Sequence, residues 1–119
     1  INLSYNILSL IEPDAFKKLL NLKILKINNN YLEILSENLL FDTKELIELD
    51  LSSNYIIKLD RLIFQNLKSI QLLNISSNNL TYISKDLLKT LSKLRHLDLS
   101  HNNISYLEDN SFKNLIQLN

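Results

Sequence analysis

The chain has no cysteine, glycine, methionine or tryptophan, and its one proline is Pro13. Lack of cysteine rules out disulfides and thiol chemistry, without placing the chain in a reducing compartment. Lack of glycine removes any Gly-rich phosphate loop. Neither sign of charge prevails: 13 basic and 13 acidic side chains give a net charge of zero. Such a balance gives no reason to expect nucleic acid or an anionic membrane as target. No apolar run nears the roughly 18 residues that a membrane span needs, and no signal-peptide pattern is present. Direct membrane insertion of this segment is therefore not expected. No Ser/His/Asp set has supporting context and no pair of carboxylates marks a cleft, so neither catalysis nor a cofactor is expected.

What is present is a period. Leu94-Arg95-His96-Leu97-Asp98-Leu99-Ser100-His101-Asn102 has apolar residues first, fourth and sixth and asparagine ninth. The same frame recurs at Leu22–Asn30, Leu46–Asn54 and Ile70–Asn78, each 24 residues after the last. Ile1, Leu3 and Asn6 fit the tail of an earlier copy, and Leu118 the start of a later one. A fixed period of this size is the mark of a solenoid. The chain divides into a partial repeat (1–21), four full repeats (22–45, 46–69, 70–93, 94–117) and the first two residues of another (118–119). Solenoids need end caps and none is visible, so the sequence reads as one repeat array taken from a longer protein. Divided by repeat, the charge runs 0, −1, 0, +2 and −1, which predicts no strong single-sign patch.

Within each copy, the alternation Leu97-x-Leu99 predicts a short strand with its apolar face inward. Strands are expected to start near Ile1, Leu25, Leu49, Leu73 and Leu97. Too short to stand alone, they must pair with their equivalents in a parallel sheet. Asn6, Asn30, Asn54, Asn78 and Asn102 end these strands. Their amides offer two donors and an acceptor each, enough to bond turn backbone within and between coils as a ladder. Position 19 carries Phe16, Leu40, Phe64, Leu88 and Phe112, so phenylalanine in alternate coils predicts a structural spine on the convex side. Ser84 through Leu91 has a serine N-cap candidate and apolar i, i+4 spacing, which predicts a short helical turn.

The frame LxxLxLxxNxLxxLxxxxFxxLxx, shown by Leu46–Ser69 and Leu94–Gln117, resembles the typical 24-residue class of leucine-rich repeats. This resemblance implies an α/β solenoid, a horseshoe segment with short parallel concave strands and a convex side of loops and short helices. The class is known mostly from extracellular animal proteins, among them Toll and Toll-like receptor ectodomains, proteoglycans and secreted immune factors. The Ile-, Asn- and Lys-rich wording is similar to insect Toll-like or immune repeat proteins. The resemblance implies non-catalytic recognition of a protein ligand or co-receptor, with homo- or heterodimers, at an extracellular or cell-surface location. A cell-adhesion or structural protein and an intracellular scaffold are the alternatives.

Outward strand positions 3, 5, 7 and 8 would line the concave face. The candidate ligand-binding set is Tyr5, Ile24, Lys26, Asn28, Glu48, Asp50, Leu72, Asn74, His96, Asp98 and His101. Ile24 and Leu72 are apolar where water is expected, which fits either scattered surface hydrophobes or anchors for a protein. His96 and Asp98 would share a face, but clusters on a single strand are usually solvated surface, so no metal site is expected. Four glycosylation sequons begin at Asn2, Asn74, Asn79 and Asn103, where chance at this composition gives about two. Asn79 and Asn103 sit beside the ladder on the turn edge. Glycans at Asn2 and Asn74 would obstruct the concave face.

Overall fold

The computed structural model describes all residues, 1–119, as a stack of coils. Four strands, β1 (Ile24–Lys26), β2 (Glu48–Asp50), β3 (Leu72–Asn74) and β5 (His96–Asp98), form one parallel sheet in the order β1-β2-β3-β5. Their register is the repeat itself: Ile24 pairs with Glu48, Glu48 with Leu72, and Leu72 with His96. The first coil joins by a single bridge, Asn2 to Lys26, rather than by a full strand.

These strands begin one residue before the expected leucine and stop at position 5. The central residue of each is the leucine at position 4, and of these Leu25, Leu49 and Leu73 are buried beneath the sheet. Two features accompany the strand end, the first on β2, β3 and β5 and the second in every coil. The position-5 side chain folds forward, so that Asp50 Oδ1 accepts the Ser52 N–H at 2.9 Å and Asn74 Oδ1 the Ser76 N–H at 3.0 Å. Position 8 then turns left-handed in all five copies, with φ between 53° and 57° at Tyr5, Asn29, Ser53, Ser77 and His101.

The return of each coil contains no helix. Ser84 does cap, its hydroxyl accepting the Leu87 N–H at 3.2 Å, but the expected helical turn does not propagate. Separate i→i+3 turns replace it: Leu87 to Ser84, Lys89 to Asp86 and Leu91 to Leu88. One turn cannot repay helix nucleation, and the Lys89 carbonyl is taken instead by Asn114 Nδ2 from the next coil at 2.9 Å. Beside the main sheet lies a second one, unforeseen in the sequence: β4 (Tyr82–Ile83) paired in parallel with β6 (Tyr106–Leu107).

Leucine, isoleucine and phenylalanine from successive coils make one continuous core. Phe16 and Phe64 lie inside it, and Phe112, in the last coil of the stack, is 38% exposed. Thr43, where position 22 breaks its leucine pattern, is buried with its hydroxyl donating to the Leu40 carbonyl at 3.0 Å. The exception costs no unpaired polar group.

Candidate functional site: the concave sheet and its loop edge

The asparagine ladder sets the geometry on which everything outward depends. Asn54 Oδ1 accepts the Leu32 N–H of the previous coil at 3.1 Å, while its Nδ2 donates to Ile27 and Leu51. Asn30, Asn78 and Asn102 repeat the pattern. Asn6 bonds only within its own coil, to Leu3 and Ser4. A second polar series, with no signature in the sequence, runs along the back at position 21. Asp42 accepts the Lys18 N–H, Asn66 donates to Phe41, Thr90 to Phe64 and Asn114 to Lys89. Several residue types share that role, so no repeated letter announces it.

On the concave sheet, position 3 presents Ile24, Glu48, Leu72 and His96, and position 5 presents Lys26, Asp50, Asn74 and Asp98. From Glu48 to Asp98 they line a shallow groove of about 450 Å³. The position-5 oxygens are half committed to their own backbone turns. The Ser100 hydroxyl, together with its N–H at 2.9 Å, holds the Asp98 carboxyl below its usual range. Lys26 and Glu48 form an ion pair across β1 and β2 at 2.8 Å, and that carboxylate raises the lysine pKa. Asn28 lies just past the strand, its Oδ1 accepting from the Ser4 hydroxyl at 2.6 Å. No three His, Asp or Glu side chains converge anywhere as metal ligands would.

Tyr5 and His101 lie off the strands, at left-handed turns that carry position 8 to the edge where strands exit. There Asn29, Ser53 and Ser77 share a groove with the position-10 residues Tyr31, Tyr55 and Asn79. The Tyr31 and Tyr55 rings stack at 5.9 Å with 7° between their planes. Ile7 and Tyr5 continue this edge at 83% and 79% exposure. Tyr31 and Tyr55 are not among the candidates read from the sequence, although their 24-residue spacing is a readable signal. Of the sequons, Asn79 and Asn103 are exposed on the same edge, whereas Asn74 is half-buried and also accepts the Ser76 hydroxyl at 2.7 Å. Asn2 is exposed beside its bridge to Lys26.

Charge is sorted across the coils rather than along them, contrary to the patch-free surface expected from repeat totals. Positions 20 to 24 together with 1 and 2 hold nine of the 13 basic side chains and two of the 13 acidic ones. Positions 10 to 17 hold eight acidic and three basic, and the concave strands one basic and three acidic. Strand position 3 lies next to the first flank and position 5 next to the other, so the two flanks carry opposite sign.

The family model described as leucine rich repeat matches residues 1–56, 44–104 and 70–119. Among solved structures the chain is similar to Toll in the Toll–Spatzle complex, a molecular hub in Drosophila development and innate immunity. There it is 27% identical over 90% of its length, at a TM-score of 0.89, with 0.87 for the glycosylated form. It is likewise similar to TLR13 in a complex with ssRNA13: 31% identical over 88% of its length, at a TM-score of 0.83. The chain spans 14% to 15% of the length of those proteins. No curated protein matches its sequence.

Proposed function

Because the chain belongs to the leucine-rich repeat family, we propose that it is a non-catalytic recognition module of an extracellular innate-immune receptor or secreted immune protein, taking a folded protein as ligand. One observation carries this reading. Large apolar side chains stand exposed on the concave strands at Ile24 and Leu72, and along the adjoining edge at Tyr5, Ile7, Tyr31 and Tyr55. Aromatic residues that are rigid, stacked and half in water are what protein interfaces enrich. Lys26, Asn28, Glu48, Asp50, Asn74, His96, Asp98 and His101 supply the polar surround. Asn79 and Asn103 carry glycans that bound the apolar stretch of this edge.

The TLR13 relative is solved with single-stranded RNA, but the concave strands here hold Glu48, Asp50 and Asp98 against Lys26 alone. That balance repels phosphate, and so favours a protein on this face. The test is a binding screen of secreted proteins with the glycosylated chain. A genuine ligand should lose at least tenfold affinity to Leu72→Asp or to the pair Tyr31→Ala and Tyr55→Ala, and stay within twofold for Leu62→Asp on the back. Ligands indifferent to all of these, or RNA as the tightest ligand, would reject the reading.

A further inference from the structure

We propose that the flank leading into the concave strands binds a linear sulfated polysaccharide, independently of any protein held by the concave face. Nine cations gather there, and Lys17, Lys23 and Lys89 are paired with Asp14, Glu45 and Asp86. Six have no ion pair: Lys18, Lys44, Lys68, Lys93, Arg95 and Lys113. At least one of the six falls in every coil. Coils succeed one another at about the 4.7–4.9 Å spacing of paired strands, so free cations recur coil after coil along this flank, at neighbouring rather than identical positions. A band of cations that runs the length of the solenoid suits an extended chain of anions better than a compact protein.

Backbone bonds between coils fix the end of this flank that adjoins the strands, where Arg95 sits. At position 2, Glu48 and Ile47 both donate to the Lys23 carbonyl, Gln71 and Leu72 to Ile47, Arg95 and His96 to Gln71, and Asn119 to Arg95. Besides Asp14 and Asp86 at its border, only Asp42 and Glu45 oppose the positive charge, and Glu45 is already bonded to Lys23 at 2.6 Å. No sequon falls on this flank, since all four begin at position 5 or position 10. Glycans therefore leave it open.

The chemistry of the band separates two polyanions. Proteins that hold single-stranded nucleic acid add a run of aromatic rings on which bases stack. This flank exposes only Phe41, already under the Lys44 ammonium at 5.9 Å, and Phe112, three coils away. Five of the six free cations are lysine, which meets an anion as a flexible point charge without the bidentate fork of arginine. Point charges along a band suit sulfate groups, which vary in position along a polysaccharide.

Heparin oligosaccharide of defined length is the probe, titrated against the chain at several salt concentrations. At physiological salt the chain should bind despite its zero net charge. The triple variant Lys44→Glu, Lys68→Glu, Lys93→Glu should lose at least tenfold affinity, with a shallower dependence on salt. Lys58→Glu with Arg61→Glu, on the opposite flank, should bind within twofold of the parent. If charge reversal unfolds the chain, the Lys→Gln triple provides the same comparison. Absence of binding, or equal loss in both variants, would overturn the proposal. So would tighter binding of single-stranded RNA of matched charge, and so would heparin binding that appears only when the chain self-associates.

Discussion

Asn78 makes four bonds with one amide. Its oxygen accepts from Ile56 of the preceding coil at 2.9 Å, and its nitrogen donates to Leu51, Ile75 and Ser76. All of this happens at 4% exposure, where an unpaired amide or carbonyl has no water to turn to. Asn78→Ala should therefore cost about 1–3 kcal/mol, read as a lower urea midpoint at unchanged slope. Asn6→Ala, which breaks no bond between coils, should cost less than half as much. An equal loss at both would mean that the span between coils is not what matters. The ladder was legible in the sequence because the same short amide donates and accepts at that corner in every coil, so its letter repeats. The left-handed position 8 was not legible. Tyrosine, asparagine, serine and histidine all occupy it, and what they share is a backbone angle imposed by the turn between strand and ladder.

At the scale of elements, the strands were readable from their inward leucines. Their ends were not: on β2, β3 and β5 an oxygen at position 5 turns onto the backbone, supplied by either Asp or Asn, and β1 ends at Lys26 without one. The second sheet shows how an element can rest on contacts without a periodic signature. Tyr82 and Tyr106 stack at 5.7 Å, and the Tyr82 hydroxyl donates to Glu108 at 2.8 Å. Glu108 also accepts the Lys85 N–H at 3.0 Å, and these two bonds, that from Lys85 first, depress its pKa. A carboxyl depressed in the fold stabilises it above the ordinary glutamate range, near pH 4.3, and that stabilisation is lost as pH falls through the depressed value. Glu108→Gln cannot titrate. It should be less stable than the parent at pH 7, by a gap that narrows as pH falls below the ordinary glutamate range, by denaturant midpoints measured at pH 7 and pH 3. A gap that persists undiminished at pH 3 would assign the effect to shape rather than charge.

For the whole molecule, the opposition of two charged flanks was hidden for the opposite reason to the ladder. The charges fall at different positions in different copies, and they align only when each position is placed around a coil. Such placement presupposes that the coils are interchangeable, which can be tested directly. Bonds between coils join residues 22 to 28 apart, so each coil touches only its neighbours, as in other solenoids. Deleting 70–93 brings Leu94 after Ser69 in the same frame. Asn102 then meets Ile56 and Leu51 as Asn78 did, and Leu97 packs beside Leu49. Two like-charge neighbours are new: Asp98 beside Asp50 on adjacent strands, at roughly 0.2–1 kcal/mol, and Glu108 beside Asp60 on the return. The shortened chain should keep its strand signal and unfold in a single transition, with a urea slope reduced by about a fifth. Deleting 82–93 removes half a coil, sets strand residues against turn residues, and should abolish cooperative unfolding. If both deletions behave alike, the coils are not equivalent units, and neither flank can be read as a continuous surface.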